Sequence, residues 1–189
     1  TGLSERLTYG SHNVYLNDIS PDGKKLLCST SKPDITRCPF SLSSLFEIDL
    51  ATLQADTLVA WDAYLGSASY SPDGKQLLVT GSPSAFGGIG KNCGEHPIAN
   101  DFDTQAFIMD LATKKVQAIT RDFNPTVSPV QWNRVDGCIY FDTTDGDCRH
   151  IYRYVLKTGG FEMLPLEEDV ITSFTLANDN PVVAAYVGG

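Results

Sequence analysis

The stretch that comes nearest to nucleophile chemistry is GSASY, residues 66 to 70. A serine that attacks a carbonyl stands on a sharp strand-to-helix elbow written G-x-S-x-G, which lifts its oxygen clear of the sheet. GSASY lacks the closing glycine and reads as strand, so no nucleophile is assigned. GGIGKN, residues 87 to 92, invites comparison with a phosphate loop. There the first glycine position holds Ala85, Asn92 follows Lys91 where Ser or Thr is needed, and no following helix is signalled. DTTDGD, residues 142 to 147, has the composition of a calcium loop without the D-x-D-x-D-G spacing, and Asp145-Gly146 is hairpin chemistry. His12, His96 and His150 lie far apart, without the i, i+4 pairing of a helical metal site. No catalytic residue, metal ligand or cofactor-binding residue is therefore assigned. The five cysteines, Cys28, Cys38, Cys93, Cys138 and Cys148, form no C-x-x-C knuckle.

The elements that must carry these residues are set by a repeat. SPDGKKLLCST at 20 to 30 returns as SPDGKQLLVT at 71 to 80. Proline presets one turn torsion and glycine accepts the left-handed one, so each word predicts a turn between two strands. After each turn come a β-rich run, a long loop, an alternating strand ending Asp-Leu-Ala-Thr (44 to 52 and 105 to 113) and a last strand (55 to 60 and 116 to 120). Four short strands per unit at this period predict an all-β fold, a β-propeller fragment of four-stranded antiparallel blades. Blade 1 covers about 11–60, blade 2 about 66–121 and blade 3 about 126–166. Residues 1–10 read as an outer strand of a preceding blade and 170–189 as a partial fourth. Trp61, Trp132, Tyr140, Phe141, Tyr152 and Tyr154 are expected to fill the spaces between sheets. Because a blade needs neighbours on both faces, the natural chain is expected to continue at both ends, and the terminal sheets leave room for a homo-oligomer.

Composition narrows the partners. With 14 Lys and Arg against 23 Asp and Glu the net charge is -9, a field that repels phosphate backbones, so nucleic acid is not expected. No apolar run is long enough for a membrane span. Cys38 and Cys93 fall in equivalent long loops of adjacent blades, and a bridge between them would stabilise by about 4 kcal/mol on chain entropy. Cys28 and Cys138 fall on strands that read as buried.

The pattern S-P-D-G-K-x-L, then L-[FY]-x-[IM]-D-L-x-T, then a strand ending in Thr, resembles the repeat of two families. One is the periplasmic Tol-associated propeller proteins. The other is the propeller domain of prolyl oligopeptidase-type serine peptidases, including dipeptidyl peptidases. The long insertions at 31–42 and 81–104 resemble the second more closely. That resemblance implies a cap on an α/β-hydrolase domain, gating and orienting peptide substrates, with the catalytic serine outside this chain and a periplasmic or secreted location. The alternative is a periplasmic scaffold for protein–protein interaction. Family dipeptidyl peptidases hold the substrate amine with adjacent glutamates; the adjacent pair here is Glu167 and Glu168, in an inter-blade linker without the flanking aromatic residues, where an acidic surface linker is the plainer reading.

Overall fold

Each Ser-Pro-Asp-Gly word folds into the same device. In the computed structural model, which describes residues 2, 6–92, 103–166, 168–177, 179 and 183–187, Ser20 Oγ donates to Asp22 Oδ1 at 2.7 Å and accepts the Lys25 amide at 2.9 Å. Ser71 repeats this with Asp73 at 2.7 Å and the Gln76 amide at 3.0 Å. Gly23 and Gly74 sit at φ 71° and 69°, where a Cβ would be strained. In the third unit Asn133 replaces the serine, its Oδ1 accepting the Val135 amide at 2.7 Å, and Gly137 takes φ 71°.

The strands form four antiparallel sheets. The first contains β1 (Val14–Ile19), β2 (Lys25–Pro33), β3 (Ser41–Asp49) and β4 (Ala55–Asp62). The second contains β5 (Leu65–Tyr70), β6 (Gln76–Gly81), β7 (Gln105–Asp110) and β8 (Val116–Ala118), with one helical turn, α1 (Ala85–Gly88), in its long loop. The third contains β9 (Thr126–Trp132), β10 (Ile139–Asp145), β11 (Cys148–Val155) and β12 (Gly160–Met163), and β13 (Ile171–Leu176) pairs with β14 (Val183–Val187). Strands neighbour one another in chain order. No ladder joins two sheets among the described residues; a single parallel bridge links Arg149 to Val170.

The two-residue side-chain period of a strand decides how the sheets stack. In β6, Leu77 and Val79 face the first sheet, where they meet Leu27, Leu45 and Leu58. Leu78, between them, faces the third sheet with Val127, Ile139 and Phe141. β7 repeats the pattern, with Phe107 and Met109 on one side and Ala106 and Ile108 on the other. A third core, formed by Cys138, Tyr140, Ile151, Ile171 and Leu176, joins the third sheet to the β13–β14 pair. The second sheet is thus covered on both faces, while Tyr15, Leu16 and Ile19 of β1 and Tyr186 and Val187 of β14 are exposed.

Residues 6–9, within the expected outer strand, join no ladder among the described residues, and Glu5 lies outside them. Two expectations change. The first insertion is shorter than 31–42: β2 continues to Pro33 and β3 begins at Ser41, since both strands keep pairing outward, Pro33 opposite Ser41. Trp61 does not fill a space between sheets. It is the penultimate residue of β4, at φ 51°, half-buried, with the Lys32 ammonium 4.0 Å from its ring centre.

Candidate functional site

Antiparallel winding sorts the connections by end. The β1–β2 and β3–β4, β5–β6 and β7–β8, and β9–β10 and β11–β12 turns occupy one end of the first three sheets; the β2–β3, β6–β7 and β10–β11 connections and the inter-sheet linkers occupy the other. The second is the loop end.

Its first loop is braced from within. The Asp34 amide donates to the Phe40 carbonyl at 2.8 Å, closing residues 34–40, and Arg37 pairs with Asp34 at 3.0 Å. The Thr36 hydroxyl and amide also bind Asp34, and they hold its carboxyl below the usual carboxylate range. With its polar groups turned inward, the loop presents Ile35 and Phe40 to water, 86% and 64% exposed. Lys32 over Trp61, with the His12 ring centre 6.0 Å from that of Trp61, supplies a cationic and aromatic edge beside them. The second loop is rooted by Asp62, which accepts the Tyr64 amide at 2.8 Å and the Phe86 amide at 2.7 Å, and Phe86 packs edge-on to Phe107 at 5.1 Å. The arrangement can hold an extended chain through apolar and cation–π contacts. Among the described residues it aligns no base with a nucleophile.

The turn end differs. A cleft of about 350 Å³ lies between the two Ser-Pro-Asp-Gly turns, lined by Asp22, Lys25, Glu47, Tyr70 and Asp73. Glu47, 5% exposed, accepts the Tyr70 hydroxyl at 2.7 Å and the Lys25 ammonium at 2.9 Å. Burial, then Glu47, pushes the Tyr70 phenol far up, and Glu47 raises Lys25. These groups satisfy one another, so the cleft is a polar bolt between sheets.

The residues singled out from sequence are dispersed. Ser67 lies within β5, its Oγ 3.1 Å from Thr80 Oγ1. Lys91 closes a tight turn onto the Gly88 carbonyl at 3.1 Å. Gly146, at φ 63°, turns the hairpin between β10 and β11. Glu168 is exposed, while Glu167, Cys93 and His96 lie outside the described residues, so neither the glutamate pair nor a Cys38–Cys93 bridge is described; Cys38 itself is exposed. Cys28 and Cys138 are buried, and desolvation raises both thiols. Sequence reading missed Glu47, whose only signal is a carboxylate at an inward position of an alternating strand, and the Lys32–Trp61 stack, which has none.

Solved structures contain the same stack of sheets. TolB from Acinetobacter baumannii superposes with a TM-score of 0.62 at 22% identity, over 95% of this chain and 39% of its own. The β-propeller domain of the Trilobed protease from Pyrococcus furiosus does so with a TM-score of 0.53 at 19% identity, over 87% of this chain and 45% of its own. The sheets are blades of a β-propeller. Acylaminoacyl peptidase from Pyrococcus horikoshii matches with a TM-score of 0.52 at 17% identity, over 87% of this chain and 26% of its own. The chain therefore spans less than half the length of each of these proteins. No family model and no curated protein matches it. Among the described residues, no helix of the propeller is long and apolar enough to cross a membrane.

Proposed function

We propose that this propeller segment is part of the non-catalytic cap of a serine peptidase of the prolyl oligopeptidase type, periplasmic or secreted, whose loop end gates and orients peptides on their way to a serine outside the chain. The observation that carries the reading is the loop end: Ile35 and Phe40 project into water from an internally braced loop, beside the Lys32–Trp61 stack. Two large apolar groups held out by one braced loop support a contact role. The likeness to the acylaminoacyl peptidase and the Trilobed protease propeller supports it. Glu168, with Glu167, would meet the peptide's amine from a linker at the same end; removing both carboxylates then weakens peptide binding by the intact enzyme. A second copy of the chain would cover the exposed Tyr15, Leu16 and Ile19, and sedimentation would show the dimer.

The isolated chain is expected to bind Xaa-Pro and Xaa-Ala peptides without hydrolysing the corresponding anilides, and to lose binding on Phe40→Ala with Ile35→Asp. Turnover by the isolated chain, or binding indifferent to that double change, overturns the proposal. The likeness to TolB, at a TM-score of 0.62, supports a second reading, a periplasmic scaffold that takes a protein partner on the same end. The gene decides between them: an in-frame G-x-S-x-G elbow downstream favours the cap, and a stop codon after the last blade favours the scaffold.

A further inference from the structure

The third blade gathers three groups at its loop end that neither the packing nor the proposed cap uses. Cys148 and His150 are two apart on β11, so the strand period puts both on one face. β12 pairs with β11 only over residues 152–155. The free edge of the first half of β11 is taken instead by the linker to β13: the Arg149 amide donates to the Asp169 carbonyl at 2.8 Å, and Arg149 bridges Val170. That bond sets Asp169 beside the strand. The sulfur of Cys148, a ring nitrogen of His150 and a carboxylate oxygen of Asp169 consequently lie within 4.8 Å of one another, the first two half-buried and the third exposed.

We propose that Cys148, His150 and Asp169 form a binding site for a borderline-soft divalent metal ion of the Zn²⁺ class. A thiolate, an imidazole and a carboxylate are together a donor set that suits Zn²⁺ or Co²⁺ and not the oxygen-seeking Mg²⁺ or Ca²⁺. Metal–ligand lengths of about 2.0–2.3 Å put the donors of a tetrahedral site roughly 3.3–3.8 Å apart, so these three close on an ion by side-chain adjustments of about 1 Å. The surroundings are short of positive charge. Arg149, on the opposite face of β11, is paired with Asp142. Asp147 stands 3.6 Å from the sulfur, so a second carboxylate faces the three donors. A divalent ion would displace the thiol proton to solvent and answer the carboxylates at once. Three protein donors leave one position for water. Since two ligands come from β11 and the third from the linker leading to β13, the ion would clip blade 3 to the start of blade 4.

The inference is independent of the cap. Co²⁺ titrated into the reduced 189-residue chain in a phosphine reductant is expected to bind one to one, giving tetrahedral d–d bands and a thiolate-to-cobalt charge-transfer band that Zn²⁺ erases and Mg²⁺ does not. Cys148→Ser removes the charge-transfer band, and His150→Ala and Asp169→Asn each weaken Zn²⁺ at least ~10-fold, while Cys28→Ser and Cys38→Ser leave it unchanged. Circular dichroism confirms the fold of each variant, and Asp169, being exposed, tests the site even if the Cys148 variant unfolds. A charge-transfer band surviving Cys148→Ser, Asp169→Asn binding as the parent does, or no uptake at millimolar Co²⁺ would each overturn it.

Discussion

The seam between blades 1 and 2 and the seam between blades 2 and 3 bury comparable aliphatic side chains but are finished differently. Polar groups cross the first: Tyr70 to Glu47, the Tyr70 amide to Asp18 at 2.8 Å, and Lys114 to Asp56 and the Thr57 carbonyl at 3.2 and 2.9 Å. The second is finished by rings. Phe123 stacks on Phe161 at 4.0 Å and meets Tyr152 at 5.0 Å, while Phe141 and Tyr154 approach Phe161 at 5.8 and 5.0 Å. Ring packing stabilises by area and tolerates small slides between sheets. A buried hydrogen-bonded carboxylate fixes one register, and it is costly when half satisfied.

The largest effect is expected at the ring seam. Phe141 is fully buried and central to the blade 2–3 core. Phe141→Ala should cost about 3–5 kcal/mol, a large part of a domain's stability, measured by urea unfolding. Phe161→Ala, from a partly buried ring, should cost less. Equal losses would mean that the ring cluster, rather than the core beneath it, carries the seam. At the polar seam, Tyr70→Phe keeps the ring and leaves a Glu47 oxygen without its donor, a loss of about 1–3 kcal/mol. Because the Tyr70 and Lys25 folded pKa values are raised, their stability is present below the unfolded values near 10 and is lost as the pH climbs above them. Tyr70→Phe should flatten that alkaline limb; an unchanged limb would assign it to Lys25 or to Tyr140 and Tyr154, whose phenols burial also raises.

Acid separates the seams further. Asp22 and Asp73 are lowered from 3.8, chiefly by the Ser20 and Ser71 hydroxyls and then by the Lys24 and Lys75 amides. A depressed folded pKa contributes stability that is complete above the unfolded value and is lost as the pH falls through the folded one. The thermal midpoint should therefore decline from about pH 4 downward. The double change Asp22→Asn, Asp73→Asn should shrink the decline without removing it, since Asp49 and Asp110 in the other turns are lowered too, by the amides and hydroxyls of Thr52 and Thr113. If the double variant follows the parent's acid curve, the serine–aspartate pairs contribute nothing.

What the sequence makes legible is local. Pro21, Asp22 and Gly23 specify their turn through their own torsions and the neighbouring Ser20, so the repeat yields sheets, order and spacing without any tertiary knowledge. The unbroken apolar run Leu77, Leu78 and Val79 likewise fits a strand covered on both faces. What stays hidden depends on partners far along the chain. Glu47 finds Tyr70 23 residues away, and SLFEIDLAT marks that carboxylate only as inward-facing, without naming its partner. Cys148 and His150 escape a search for helical i, i+4 ligands because their period is that of a strand. Asp169 joins them only because β12 is short and the linker takes its place.

The smallest effect isolates the exposed bridge across the polar seam. Leu53 and Lys114 occupy the same position in the Asp-Leu-Ala-Thr turns of blades 1 and 2, both left-handed, at φ 58° and 56°. Glycine relieves the Cβ strain at such a position, partly offset by the freedom it adds to the unfolded chain, for a net gain of up to about 1 kcal/mol. Leu53→Gly should show that gain, since its turn amide donates back to Asp49 within the same blade. Lys114→Gly gains the same relief and forfeits the bonds to Asp56 and Thr57, which at this exposure are worth under about 1 kcal/mol. Its net change should sit near zero, and the difference between the two variants should narrow as salt screens the ion pair. Equal shifts at low salt would show that the bridge across the first seam contributes nothing, leaving its polar registration to the Tyr70 hydroxyl on Glu47 and the Tyr70 amide on Asp18.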